Sequence, residues 1–82
     1  MKRIDWSPPA EADLRKLDRP VARRIFAALD RYAETGYGDL SRLQGENKEY
    51  RLRVGDWRIR LRLESPDRVV ILRVRHRREA YR

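Results

Sequence analysis

The stretch YRLRVGDWRIRLRL at residues 50–63 decides the fold, because arginine alternates with apolar residues on both sides of Gly55-Asp56. A third run, at residues 69–76, ends in the same alternation after a short polar segment. A period of two is typical of half-buried strands and excludes a helix, which would distribute these arginines around its circumference. The sequence therefore predicts three consecutive antiparallel strands with arginines on one face and apolar side chains on the other.

The turn residues predict which strand positions face each other. Gly55-Asp56 suits a two-residue hairpin with glycine at the first turn position, so Val54 is expected opposite Trp57. A longer loop at residues 65–68 closes the second hairpin, with Glu64 expected opposite Val69. The predicted rows are Arg51/Arg60/Arg73 and Arg53/Arg58/Arg75 on one face, and Tyr50/Leu61/Leu72, Leu52/Ile59/Val74 and Val54/Trp57/His76 on the other.

Two rows of arginines favour an anionic ligand on the polar face. Like charges directly opposite each other destabilise a sheet, so folding alone does not favour this arrangement. The chain has 18 Arg and 3 Lys, and the planar donor fork of arginine suits phosphate recognition. The alternative is a charged face that is only solvated, which is the usual explanation of charge runs.

Composition limits the class of protein. A chain of 82 residues is expected to form one domain, residues 1–82. Cysteine is absent, which excludes disulfides and thiolate chemistry. We found neither a signal-peptide pattern nor an apolar run long enough to span a membrane, so we expect a cytoplasmic protein without a membrane partner.

The net charge of +8 is unevenly distributed. Residues 1–47 hold nine Lys/Arg and eight Asp/Glu, whereas residues 48–82 hold twelve and five. The basic character therefore belongs to the predicted sheet, where the electrostatic footprint of a nucleic-acid-binding protein is expected.

The first half of the chain predicts two helices after a short strand at residues 2–6. Ser7 is a suitable N-cap with proline at the first helical position, and the first helix is expected to end near residue 17. Asp18 can cap a second helix that ends at Gly36. The fold class is then α+β: a strand, a two-helix hairpin covering the apolar face, and a three-stranded antiparallel meander.

The segment at residues 37–47 is predicted to be a loop. Leu40 and Leu43 are expected to anchor it to the core. Trp57 and Tyr50 are most simply core aromatics.

The side chains available for chemistry indicate phosphodiester cleavage without a metal or another cofactor. The chain has one histidine and scattered acids, so no metal-ligand cluster is expected. Arginines can stabilise the charge that develops on a phosphorane, but they hardly deprotonate. Proton transfer would fall to Tyr81, to His76 or to a partner, and His76 shares a face with Val74, which favours a packed histidine.

Several motifs resemble the RelE/ParE superfamily of type II toxin–antitoxin toxins. They are Leu43-Gln-Gly45, the segment from Tyr50 to Arg58, the run at residues 69–74 and the ending HRREAYR at residues 76–82. The resemblance, which is to the RelE-like members, implies a RelE-like microbial RNase fold. It also implies metal-independent cleavage of mRNA in the ribosomal A site, leaving cyclic phosphate ends.

The resemblance also implies a set of site residues. Arg51 and Arg53 fall where RelE-like toxins have lysines, so their expected roles are charge stabilisation and RNA positioning. Arg58 matches the arginine after the aromatic residue, Arg75 or Arg77 matches the last-strand arginine, and Tyr81 matches the C-terminal tyrosine. The expected catalytic set is Arg51, Arg53, Arg58, Arg75 and Tyr81, and the expected nucleic-acid-binding set is Arg60, Arg62, Arg73, Arg77 and Arg78.

The implied partners are mRNA on the ribosome and an antitoxin protein with an acidic or amphipathic segment. Operator DNA would be bound only through the toxin–antitoxin complex. Two alternatives stay open: a ParE-like inhibitor of DNA gyrase, and a non-catalytic RNA- or ribosome-binding module.

Overall fold

The computed structural model describes residues 1–45 and 48–80. Strands and helices follow one another in the predicted order, with two short additions. The elements are β1 (Arg3–Trp6), α1 (Pro8–Arg15), α2 (Arg19–Thr35), β2 (Leu40–Arg42), β3 (Glu49–Val54), β4 (Trp57–Ser65), β5 (Arg68–His76) and α3 (Arg77–Ala80).

The strands form one five-stranded sheet in the order β1-β5-β4-β3-β2. β1 is parallel to β5, and the other neighbours are antiparallel. The predicted meander is therefore the centre of a larger sheet. Its first hairpin has the predicted register, with Val54 opposite Trp57 and Gly55 at a φ of 59°.

The second hairpin departs from the predicted register at two β-bulges. Arg60 lies opposite Arg73 as predicted, but Leu61 lies opposite Ile71, so Leu72 is the inserted residue of a bulge. The predicted Leu61/Leu72 pair is therefore wrong. The bulge lies beside Ser7, the residue between β1 and α1. The Ser7 hydroxyl donates a hydrogen bond to the Leu72 carbonyl at 3.2 Å.

The second bulge is at Glu64. Leu63 lies opposite Val69 and Ser65 lies opposite Arg68, so the predicted pairing of Glu64 with Val69 is wrong. Both bulges lie outside the two arginine rows, whose predicted pairings are confirmed.

The helix signals in the sequence are confirmed with small shifts in their ends, except that Asp18, at the N-cap position of α2, makes no side-chain capping hydrogen bond within the described residues. The Ser7 hydroxyl accepts a hydrogen bond from the Ala10 N–H at 3.3 Å, which satisfies one of the free donors at the start of α1. α1 ends at Arg15, two residues earlier than expected. Gly36 ends α2 with a φ of 77°, a left-handed conformation that favours glycine.

The core lies between α2 and the apolar face of the sheet. Ile25 and Leu29 of α2 are fully buried with Leu52, Ile59 and Leu61 of the central strands. Interdigitated aliphatic side chains of this kind supply most of the stability of a small domain. The opposite face of the sheet is left to the arginines.

The segment predicted as a loop, residues 37–47, contains the short edge strand β2, so that prediction is wrong in part. Leu40 lies opposite Leu52 and packs against the core, as expected. Leu43 does not reach the core. Its N–H donates to the Glu49 carbonyl at 3.0 Å, and this register places Leu43 on the arginine side.

α3, at the end of the described chain, was not predicted either. Its first N–H, that of Arg77, donates to the Asp56 carbonyl at 2.7 Å, which fastens the helix to the β3–β4 turn. None of the helices within residues 1–45 and 48–80 is long and apolar enough to cross a membrane.

Candidate nucleic-acid interface

The open face of the sheet carries six arginines in two cross-strand rows. The first row is Arg51/Arg60/Arg73 and the second row is Arg53/Arg58/Arg75. All of these side chains except that of Arg53 line one cavity of about 400 Å³, together with Leu43 and Gln44. Arg53 lines a neighbouring recess of about 190 Å³ with Arg51, Arg58, Asp39 and Ser41. The strand register alone therefore brings the predicted arginines together.

Two arginines of the first row are held by carboxylates that are themselves largely buried. Arg60 Nε lies 2.7 Å from Glu49 Oε1, and the Glu49 side chain is 14% exposed. Arg73 makes a two-bond contact with Asp13, with Nε 2.9 Å from Oδ2 and Nη2 3.1 Å from Oδ1. A two-bond contact between an arginine and a carboxylate fixes the orientation of both side chains and is among the stronger hydrogen-bonded ion pairs.

Asp13 links α1 to the part of β5 that extends beyond its pairing with β1. Its Oδ2 accepts a hydrogen bond from the Val74 N–H at 2.9 Å, in the place of a carbonyl from a neighbouring strand. Burial alone would raise the pKa of Asp13, but the bonds from Arg73 and Val74, with the charges of Arg73 and Arg75, hold that pKa below its usual value. Asp13 therefore stays ionised at neutral pH.

The second row is held less firmly by carboxylates than the first row. Arg53 pairs with Asp39 at 2.6 Å, but the side chains are 61% and 53% exposed, so solvent screens the pair. Arg58 donates instead to two backbone carbonyls, those of Gly55 at 2.9 Å and Trp57 at 3.2 Å. Among residues 1–45 and 48–80, neither Arg58 nor Arg75 forms an ion pair with a carboxylate.

The other arginines expected to contact nucleic acid lie outside this cavity. Arg62 continues the middle strand and bonds Glu64 at 2.8 Å. Arg77 is on α3, with its Nη1 3.6 Å from Asp56 Oδ1. The neighbouring Arg78 is exposed. The structure thus places Arg75, and not Arg77, with the other cavity arginines. Tyr81 lies outside the described residues.

His76 is a packed residue, as its position in the alternation indicated. Its ring meets that of Trp57 edge to face at 5.3 Å between centroids. Its Nδ1 accepts a hydrogen bond from the Arg78 N–H at 3.3 Å, which caps the first turn of α3. Within the part of the chain that the structure describes, no three histidine or acidic side chains are grouped as metal ligands are.

Sequence reasoning missed Asp13 and Glu49. A signal for Asp13 was present, because it lies three residues after Ala10 and four before Leu17, on the face of α1 that packs inward. An acid on an apolar helix face needs a buried partner. A signal for Glu49 was also present, because the predicted register of β3 against β4 places it on the arginine face, two residues before Arg51 and diagonal to Arg60.

The sequence as a whole matches a known family. The family model of the ParE toxin of the type II toxin–antitoxin system parDE matches residues 4–81. The chain belongs to the ParE toxin family. It is a toxin of a type II toxin–antitoxin system, which confirms the superfamily expected from the motifs.

Solved structures of such toxins share the fold of this one. The isolated RelE toxin of E. coli superposes with a TM-score of 0.79 at 18% identity, over 99% of this chain and 96% of that chain. The toxin in the RelB–RelE complex of Methanococcus jannaschii gives 0.77 at 22% identity, over 94% of each chain. A chain of the RelBE2 toxin–antitoxin complex of Mycobacterium tuberculosis gives a TM-score of 0.66 at 28% identity, over 92% of this chain and 96% of that chain. No curated protein matches the chain in sequence.

Proposed function

We propose that this toxin is a metal-independent, ribosome-dependent mRNA endonuclease that inhibits translation. One observation carries the proposal. Arg58 and Arg75 lie directly opposite each other on neighbouring strands, line the same cavity and form no ion pair with a carboxylate among the described residues. Two adjacent guanidinium groups of this kind suit a single phosphate group, whose charge both can contact.

The reaction that this site supports needs no covalent enzyme intermediate. The 2′-oxygen of the RNA attacks the adjacent phosphorus, the bond to the 5′-oxygen breaks, and the products carry a 2′,3′-cyclic phosphate and a 5′-hydroxyl. Arg58 and Arg75 would donate to the non-bridging oxygens, where negative charge develops. Arg51 and Arg53 would position the RNA strand beside them.

Proton transfer requires another group, because arginine hardly deprotonates. One proton leaves the 2′-hydroxyl and one reaches the 5′-oxygen. We assign one of these transfers to Tyr81, by its match to the C-terminal tyrosine of RelE-like toxins. The other transfer is assigned to the ribosome or to solvent, since His76 packs against Trp57 and caps α3.

An antitoxin protein is the expected second partner. The RelE chains of M. jannaschii and M. tuberculosis were solved as complexes with their antitoxins. An acidic or amphipathic segment of the antitoxin would neutralise the arginine face and block access of RNA. Operator DNA would be bound by the joint complex.

The test is to map the products of the reaction. Purified toxin is incubated with a defined mRNA on programmed ribosomes, and in parallel with the same mRNA alone. We expect cleavage only on ribosomes, with 2′,3′-cyclic phosphate and 5′-hydroxyl ends. Intact mRNA in both reactions would contradict the proposal.

A second candidate function is inhibition of DNA gyrase, which the match to the ParE family favours. In that case the toxin would act by protein contact and not by catalysis. A supercoiling assay with purified gyrase separates the two functions. Loss of supercoiling together with intact mRNA would establish gyrase as the target.

A further inference from the structure

We propose that Glu49 and Asp13 determine the specificity of the cavity by keeping its affinity for free RNA low. Their carboxylates neutralise two arginines of the first row, so that RNA binds productively only when another surface presents it. The inference rests on the proposed RNA cleavage, and it names the residues that would make this cleavage depend on the ribosome.

The two carboxylates are fixed parts of the fold. The side chains of Glu49 and Asp13 are 14% and 10% exposed, whereas those of their partners, Arg60 and Arg73, are 53% and 40% exposed. The two arginines line the cavity, whereas the two less exposed acids do not. Asp13 is further held by the Val74 N–H.

A fixed pair of this kind contributes little to phosphate binding. A phosphate near the pair is attracted by the guanidinium and repelled by the carboxylate at a similar distance, so the two Coulomb terms largely cancel. Arg60 contacts Glu49 through Nε and Arg73 contacts Asp13 through Nε and Nη2, so their other N–H groups can still donate to a phosphate. Such a contact adds a hydrogen bond but little net charge attraction, because the carboxylate already balances the guanidinium.

The second row differs from the first in this respect. Arg58 donates to backbone carbonyls, which carry no net charge, and the partner of Arg53 is an exposed aspartate. The cavity therefore presents a narrow cationic site at Arg58 and Arg75, beside a first row in which two charges are already balanced. A narrow site limits the number of phosphates that free RNA can contact at once.

Salt dependence measures that number. Each phosphate contact on a single strand steepens the plot of log affinity against log salt by about 0.7. The probe is a labelled single-stranded RNA oligonucleotide with 2′-O-methyl groups, which block cleavage. Its dissociation constant is measured between about 50 and about 200 mM salt for the wild type, Glu49→Gln, Asp13→Asn and the control Glu11→Gln.

The control changes the net charge by the same amount as the test variants. Glu11 is an exposed residue of α1 that pairs with Arg15 at 3.7 Å, and it lines neither arginine cavity. We expect Glu49→Gln and Asp13→Asn to bind the oligonucleotide about tenfold more tightly, with a slope steeper by about 0.7 for each freed arginine. Glu11→Gln should have the affinity and slope of the wild type.

A double variant separates a freed arginine from a disturbed fold. In Glu49→Gln/Arg60→Gln the gain in affinity should disappear, because the arginine that Glu49 releases is no longer present. Thermal melting of each variant shows that it is folded. Folded Glu49→Gln and Asp13→Asn with the slope of the control would overturn the inference.

The outcome is independent of the cleavage assay. Steeper slopes together with intact mRNA on ribosomes would support the role of the two carboxylates and overturn the proposed cleavage. Ribosome-dependent cleavage with unchanged slopes would overturn only the present inference. Cleavage of free RNA by Glu49→Gln, but not by the wild type, would support both.

Discussion

Arg58 and Arg75 show how the surroundings of a residue decide what it can do. Both belong to a sheet face of six arginines, yet neither has a carboxylate ion pair in the described part of the chain. Arg60 and Arg73 of the neighbouring row are held by Glu49 and Asp13. Arginine therefore forms ion pairs with carboxylates of the fold at Arg60 and Arg73, and it is available for a ligand at Arg58 and Arg75.

Replacing either available arginine should affect catalysis more than stability. We expect Arg58→Gln and Arg75→Gln each to lower the rate of mRNA cleavage on ribosomes by about 100-fold, because each removes a donor to the developing charge. Their melting temperatures should equal or exceed that of the wild type, since cross-strand repulsion is relieved. The matched control is Arg31→Gln, at an exposed position of α2. Lower melting temperatures for both variants would show that these arginines are structural.

The C-terminal tyrosine gives a second prediction. Tyr81→Phe removes one hydroxyl and should abolish cleavage while leaving ribosome binding unchanged, because a phenyl ring cannot exchange a proton. Cleavage and cosedimentation with ribosomes are measured on the same preparation. Cleavage at the wild-type rate would remove Tyr81 from the mechanism.

Asp13 gives a prediction about stability and pH. Its pKa in the folded state is below the unfolded value, so its pair contributes stability above about pH 4 and loses it as the pH falls through the folded pKa. We expect Asp13→Asn to lower the unfolding free energy by about 2 kcal/mol at neutral pH. The difference from the wild type should shrink below about pH 4.

Urea denaturation at several pH values measures this difference. Glu11→Gln is again the control, because its pair with Arg15 is exposed and should contribute little at any pH. A difference between wild type and Asp13→Asn that stays constant down to low pH would contradict the role of the ionised carboxylate.

At the scale of elements, the β3–β4 hairpin was the most predictable part of the chain. Strict alternation and a two-residue Gly-Asp turn leave one register that buries the apolar set, and a slip by one residue would bury the arginines. β5 was less predictable, because residues 69–71 are all buried and carry no alternation. The bulge at Leu72 depends on α1 at the neighbouring edge, which is a contact distant in sequence.

The turn of this hairpin can be tested directly. Gly55 has a φ of 59°, and a Cβ there would lie 2.6 Å from Arg24 Nη2. Gly55→Ala should destabilise the protein by about 1–2 kcal/mol, from the left-handed backbone and from the contact with Arg24. Gly36→Ala is the matched control, with a φ of 77° and no atom within 4 Å of the added Cβ in the described structure.

The comparison separates the effect of the backbone from that of the contact. Gly55→Ala should lower the free energy of unfolding more than Gly36→Ala does. Adding Arg24→Ala to Gly55→Ala should remove that difference. Urea denaturation measures all of these variants. Equal decreases in the free energy of unfolding for the two glycine variants would mean that Arg24 moves away from the added Cβ without destabilising the protein.

At the scale of the whole molecule, the fold separates stability from charge. Helix α2 and the apolar face of the sheet enclose the core, and the basic half of the sequence supplies the opposite face. Composition and alternation predicted this division. The parallel pairing of β1 with β5 and the choice of Arg73 as the partner of Asp13 could not be predicted, because each joins residues far apart in the chain. The edge strand β2 has only three residues and is too short to show an alternation.

The most direct test of the central claim is an NMR titration of the arginine side chains. The Nε–H resonances are followed while a 2′-O-methyl dinucleotide, which cannot be cleaved, is added to the isotopically labelled toxin. A phosphate site between Arg58 and Arg75 predicts that these two resonances shift together and saturate at the same concentration, while that of Arg31 stays in place. Unchanged resonances of Arg58 and Arg75, with shifts confined to arginines of the helices, would contradict the account.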